Sequence, residues 1–146
     1  MIFALRCGGQ GRIRRSYEYD QRQTHRQCLE DFDMPHADIK CTTDLEIDVR
    51  ALMLDIEKII LQLDPSSGVC KGRVIRIDEY HYSHLNIELR MFATKERDVE
   101  FSSQLVSRVD KKAKSLMKSA AHVTVKLEFS PVTYFTGFHD PRITDK

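Results

Sequence analysis

The sequence has no run of about eighteen apolar residues, the length a helix needs to cross a bilayer, so no helical span is expected. It has no C-x-x-C pair. Its four cysteines, Cys7, Cys28, Cys41 and Cys70, are too few for a disulfide scaffold, and reduced thiols inside a cell are the expectation. It has almost no net charge: 23 Lys and Arg stand against 22 Asp and Glu, a formal +1. No strongly acidic or basic partner follows from that total. Phosphate-cradling loops are missing too. Gly8, Gly9 and Gly11 match neither the P-loop nor the dinucleotide spacing, and a plain loop is the better reading. Ser83, Ser102 and Ser103 have no G-x-S-x-G context, and no cysteine sits in a nucleophile motif. Met1 to Leu5 is too short for a signal core, and Arg6 interrupts it. The chain as given reads as soluble, intracellular and not an enzyme, with no cofactor and no catalytic or metal site assigned.

What is present is organised. A length of 146 residues suits one domain with its own core. Residues 1–35 carry Arg6, Arg12, Arg14, Arg15, Arg22 and Arg26 against Glu18 and Asp20. That stretch has weak periodicity and reads as a basic arm, or the remnant of a preceding β domain. Such an arm can contact phosphate or an anionic membrane, but a solvated surface is the plainer account, and nucleic acid is not favoured.

Residues 36–131 show regular patterning. Ala37, Ile39 and Cys41 alternate with Asp38 and Lys40, which predicts a short strand. Thr43 and Glu46 have capping-box spacing ahead of a helix. That helix carries Val49, Leu52, Met53, Ile56, Ile59, Ile60 and Leu63 on one stripe, and Pro65 stops it. Then come two alternating runs, 73–80 and 85–92, read as the arms of one hairpin with Ile75, Ile77, Ile87 and Leu89 facing the core. Asp98 is a cap candidate for a second helix over 99–119, which buries Phe101, Leu105, Val109, Ala113, Leu116 and Met117. Lys111, Lys112, Lys114 and Lys118 in its second half suit the negative end of the helix dipole better than a nucleic-acid patch. Val123, Val125, Leu127 and Phe129 alternate in a last strand, broken by Pro131. Residues 132–146 are left as a short strand, Val132 to Phe135, and a tail.

The order β-α-β-β-α-β predicts an α+β, ferredoxin-like sandwich, with two helices on one face of an antiparallel sheet. Fold alone does not decide function. One polar group offers metal chemistry: Asp78, Glu79, His81 and His84 stand together at the expected hairpin tip and form a legitimate zinc donor set. Strand alternation sends Asp78 and Glu79 apart, so a solvated turn is the simpler reading. His122 has no evident partner.

The stretch from about Asp38 to Phe135 resembles the C-terminal cytoplasmic α/β domain of the small-conductance mechanosensitive channel family. The likeness is carried by Ile39-Lys40-Cys41-Thr42-Thr43-Asp44 before the first helix, by Val74 to Tyr80 followed by Ser83 to Arg90, and by Glu100-Phe101 opening the second helix. Arg12-Ile13-Arg14-Arg15 is similar to the basic stretch near the end of that family's preceding β domain. The resemblance implies a non-catalytic cage domain that forms a homo-oligomer beneath a membrane portion missing from this chain, with Val132 to Phe135 and Phe138 as the interface. Two alternatives stand beside it. The cytoplasmic domain of cation diffusion facilitators ends in a similar strand, as in Val123-Thr124-Val125, and would give Asp78, His81 and His84 zinc. A stand-alone ferredoxin-like RNA-binding or regulatory module would use the arginine-rich arm.

Overall fold

The computed structural model describes residues 34–130 and 139–142. The chain divides between Glu30 and Asp31, and all the described residues belong to the second part. Its elements run β1 (His36–Thr42), α1 (Val49–Leu63), β2 (Lys71–Ile77), β3 (His84–Phe92), α2 (Val99–Leu116) and β4 (His122–Ser130).

The element order is the expected one, but the sheet is not. The strand order is β2-β1-β3-β4. β1 and β2 are parallel, β1 and β3 antiparallel, and β3 and β4 parallel. The described residues therefore form two β-α-β units joined back to back through β1 and β3. This corrects the antiparallel ferredoxin-like sandwich, and it removes the hairpin, because β1 lies between β2 and β3. A helix is the usual crossover between parallel neighbours, and each helix here connects such a pair.

The cause of the error is the face of β2. Register sets Gly72 beside Ala37, Val74 beside Ile39 and Arg76 beside Cys41. Those three positions face the helices. Ile75 lies on the other face and is 39% exposed. Gly72 lies on the helix side, where Met53 of α1 crosses it closely: a Cβ at Gly72 would sit 2.9 Å from the Met53 Sδ, and the Met53 side chain would have to shift. A run with apolar residues at 74, 75 and 77 does not by itself say which set is buried.

One core fills the space between sheet and helices. β1 gives Ala37, Ile39 and Cys41; β3 gives Leu85, Ile87, Leu89 and Met91. α1 adds Leu52, Ile56, Ile59 and Ile60, and α2 adds Phe101, Leu105, Val109 and Ala113. Burying each Leu or Ile side chain contributes about 1.5–3 kcal/mol before entropy. At the α2 N-terminus the cap is as expected, with the Phe101 amide donating to Asp98 Oδ1 at 2.8 Å. At α1 it is not. Asp48 accepts from the Ala51 amide at 3.0 Å, and the Thr43–Glu46 box does not form. Glu46 is held elsewhere: its amide donates to the Ser119 hydroxyl at 3.2 Å, and its carbonyl accepts from the Lys118 amide at 2.9 Å. This ties the β1–α1 connection to the α2–β4 connection and moves the helix start to Val49.

Candidate active site at the start of β1

Alternation along β1 sends His36, Asp38 and Lys40 to the sheet face away from the helices. Register then assembles that face row by row. Lys71, His36, Arg90 and Glu128 form one row; Arg73, Asp38, Glu88 and Lys126 form the next. The second row and its neighbours are bound in ion pairs. Arg73 donates to Asp38 in bidentate fashion, at 2.6 Å from Nε and 2.8 Å from Nη2. Lys40 Nζ lies 2.9 Å from Glu88 Oε1 and Lys126 Nζ 2.6 Å from Glu128 Oε1. Arg90 Nε lies 3.4 Å from the other oxygen of Glu128. Asp38 is held below the ordinary carboxylate range, first by the Arg73 hydrogen bond.

The first row is chemically distinct. His36 is half-buried, and its pKa is pushed down, first by burial and then by Lys71; Arg73 and Arg90 act in the same direction and Asp38 against it. An imidazole below its usual value near 6.5 is neutral at pH 7. Around it stand three cations on two strands, Lys71, Arg73 and Arg90. Immediately before it is Pro35, fully buried, whose carbonyl accepts from the Lys71 amide at 2.8 Å. Arg73 is engaged by Asp38 and Arg90 by Glu128, so an anion entering here would compete with those carboxylates for the guanidinium groups.

The polar group singled out from the sequence lies at the other end of the sheet, in the β2–β3 connection. Tyr82 there has a φ of 65°, unusual for a non-glycine residue. The His84 Nδ1 lies 2.9 Å from the Tyr82 carbonyl oxygen, and the Tyr82 ring lies 4.2 Å from His81 and 6.0 Å from His122. Ser83 donates to Asp44, whose pKa is lowered first by that bond and then by Thr42. Among the described residues, no three His, Cys, Asp or Glu side chains come together to hold a metal, so Asp78, Glu79, His81 and His84 are not assembled. Cys70 is half-buried beside Glu57, and desolvation raises its thiol to about 12. Lys114 donates to Asp110 at 2.8 Å, and Lys112 lies 3.8 Å from Asp55. The glycine loop, the arginine-rich arm, and Val132 to Phe135 with Phe138 lie outside the described residues.

Sequence reasoning missed Pro35, His36, Lys71, Arg73 and Arg90 as a group. They come from three strands, so no local motif contains them. The available signal was the i, i+2 pair Lys71 and Arg73, which alternation places at neighbouring positions on one side of a strand.

No protein-family model matches the chain, and no curated protein does. Solved structures do. A 5-carboxymethyl-2-hydroxymuconate isomerase from Deinococcus radiodurans R1 matches with a TM-score of 0.59 at 16% identity, covering 73% of this chain and 92% of that one. A macrophage migration inhibitory factor-like protein from Entamoeba histolytica gives 0.46 at 16% identity, covering 66% of this chain and 86% of that one. A 5-carboxymethyl-2-hydroxymuconate delta-isomerase gives 0.49 at 16% identity, covering 76% and 92%. Only the first is close enough to carry an argument, and at that identity it shows the fold alone. The mixed sheet is the fold shared with that first isomerase. The expectations of a non-catalytic channel cage domain and of a non-enzyme rested on an antiparallel sandwich, and they give way because the fold found instead is one shared with a solved isomerase. Nothing in these likenesses concerns ion transport. No helix among the described residues is long and apolar enough to cross a membrane.

Proposed function

We propose that this chain is an isomerase that moves a proton within an enolisable carboxylate. The observation that carries the reading is the set of three cations, Lys71, Arg73 and Arg90, gathered around the start of β1 in a fold shared with an isomerase of a hydroxylated, unsaturated polycarboxylate. In this reading Lys71 and Arg90 take up the substrate carboxylate in exchange for their present partners while Arg73 stays on Asp38, and the proton shift takes place beside it.

A proton shift needs a base whose pKa lies near the working pH. Asp38 is a poor candidate, since Arg73 holds it ionised and occupied. The Pro35 nitrogen is a better one, on a condition. Acylated by Met34, it is an amide without basicity. In a chain that starts at Met34 and loses that methionine, it is a secondary amine. Free α-amino groups titrate at about 7.7–8.0, and burial and adjacent cations lower that value. The active form in this reading begins at Pro35, one residue before β1, and residues 1–34 are not part of it.

The chain is proposed to work as a homo-oligomer. β2 and β4 are the sheet's edges among the described residues, and Ile75 on β2 is exposed. Edge strands of this length are natural sites for pairing with a second copy. Light scattering is expected to give more than one chain's mass; a monomer mass at high concentration would contradict it.

The test of function uses a chain beginning at Pro35 and an arylpyruvate, whose keto and enol forms are distinguished by ultraviolet absorbance. Interconversion above the buffer rate is expected. Lys71→Ala and Arg90→Ala should each raise KM about tenfold or more, the cost of one charge-assisted bond to a carboxylate. Variants with unchanged KM would remove the carboxylate-holding role of this row.

A further inference from the structure

We propose that two copies of this chain join through β4, edge to edge and antiparallel, in a single register that puts Leu127 of each copy on the twofold axis. This specifies the interface of the homo-oligomer proposed above and does not depend on the isomerase reading.

The free edge comes first. β4 is nine residues long and holds no glycine or proline. It pairs with β3 along its whole length on one side, and among the described residues no strand pairs with its other side. The His122 amide donates to the Ser83 carbonyl at 3.0 Å, so the backbone groups of His122 point towards β3. Backbone groups alternate sides along a strand. Those of Thr124, Lys126, Glu128 and Ser130 therefore point to β3 as well, and those of Val123, Val125, Leu127 and Phe129 point outwards. Phe129 is also 39% exposed. A long, regular edge of this kind is a template for another strand.

Charge then selects the partner and the register. In an antiparallel pair, outward-pointing residues bond to outward-pointing residues. With a second copy as partner, the odd-numbered positions must therefore lie opposite odd-numbered ones. Centring the pair on Lys126 sets lysine against lysine, and centring it on Glu128 sets glutamate against glutamate; like charges directly opposite are destabilising. Centring it on Val125 leaves Lys126 opposite Thr124. Centring it on Leu127 sets Lys126 opposite Glu128 twice, Thr124 opposite Ser130, and Val125 opposite Phe129, all favourable cross-strand pairs. The Lys126–Glu128 positions are then non-hydrogen-bonded pairs, in which side chains approach most closely. Within one chain Lys126 Nζ already lies 2.6 Å from Glu128 Oε1. Pairing closes two such ion pairs into a ring of alternating charge. On the helix side, Val125 of one copy covers Phe129 of the other. Pro131 falls opposite Val123 and has no amide to donate, so the ladder ends there. The axis is perpendicular to the sheet, which keeps the helices of both copies on one face.

The test uses the 146-residue chain. Light scattering over a concentration series should rise to twice the chain mass. Lys126→Glu and Glu128→Lys should each stay at the mass of one chain, because each lines the edge with like charges. An equimolar mixture of the two variants should return to the two-chain mass, since every contact between positions 126 and 128 across the axis then joins opposite charges. That recovery also shows both variants to be folded. Amide hydrogen exchange on the unmutated chain reads the edge directly. The Val125, Leu127 and Phe129 amides should exchange at least about tenfold more slowly in the concentrated sample than at a dilution where the chain is monomeric. The Thr124, Lys126 and Glu128 amides should be protected in both. A one-chain mass at every concentration would overturn the proposal and the homo-oligomer with it. An oligomer whose mass both variants leave unchanged, or a mixture that stays at one chain's mass, would overturn the β4 interface alone. Protection of Val125, Leu127 and Phe129 that does not depend on concentration would place a segment of the same chain on this edge and would also overturn it.

Discussion

Arg97 is a charge taken wholly out of water, and it is satisfied on every side that the structure records. Its Nε and Nη2 reach Asp64 Oδ2 at 2.9 and 2.8 Å, and its Nη1 donates to the Phe92 carbonyl at 2.8 Å. Asp64 in turn accepts from the Ser66 amide at 3.1 Å and the Ser66 hydroxyl at 2.5 Å. The pair fastens the end of α1 to the β3–α2 connection. Burial alone would raise the Asp64 carboxyl, but Ser66 and Arg97 together outweigh it and leave the pKa below the ordinary value. Removing Arg97 strands the carboxylate, so Arg97→Ala should cost about 3–5 kcal/mol in urea unfolding at pH 7. The pH dependence follows from the direction of the shift. A carboxyl depressed on folding stabilises above its unfolded value near 3.9, and that contribution fades as pH falls through the folded value. The stability gap between the native chain and Asp64→Asn should therefore shrink as pH drops from about 4 towards 2. A gap that stays constant over that range would show that Asp64 is not held in this way. Caps were the most legible features at this scale where their partners are local. Asp98 was readable because its partner is three residues away. Thr43 misled because Glu46 is claimed by Ser119, seventy-three residues on.

At the scale of elements, periodicity located the strands and helices well but did not say which strands are neighbours. The stripe Leu52, Ile56, Ile59 and Ile60 is buried as its spacing implies, and so is Phe101, Leu105, Val109 and Ala113. β3 also obeys alternation strictly. β2 does not, because it sits at the edge and carries apolar residues on both faces. Two successive strands with a short connection look like a hairpin, yet α1 brings β2 back alongside β1. Gly72 is the position that records this packing, since the Met53 side chain lies directly over it. Gly72→Ala should therefore change stability by less than about 1 kcal/mol, because the flexible Met53 side chain can move aside while alanine suits a strand better than glycine. Adding Met53→Ala should make the glycine replacement cheaper than it is alone, a positive coupling in a double-mutant cycle. Strict additivity of the two changes would mean that α1 and β2 do not meet there. In a hairpin-based sheet no such coupling is expected.

For the whole molecule, the two β-α-β halves join through β1 and β3, and the join brings the first residues of β1 between cations from β2 and β3. That is why the candidate site was hidden in the sequence. Pro35 ended an unpatterned stretch, His36 was only the start of a patterned one, Lys71 fell outside the run 73–80, and Arg73 and Arg90 were polar positions of alternating runs. Their proximity is a product of strand order, which amphipathic spacing does not encode. Asp78, Glu79, His81 and His84 are close in sequence, but among the described residues no three such side chains are brought together, because the β2–β3 connection spreads them over different faces of the turn.

The central claim is that a free Pro35 amine at the head of β1 moves protons on a 2-oxo carboxylate. Deuterium exchange at C3 of an arylpyruvate in heavy water, followed by proton NMR, reads that chemistry directly. The chain beginning at Pro35 should exchange at least about a hundredfold faster than the 146-residue chain whose Pro35 is acylated, since general-base catalysis is worth that much or more. Intact mass must show each N-terminus in place during the assay. Exchange at the buffer rate in both chains, or at equal accelerated rates in both, would contradict the claim.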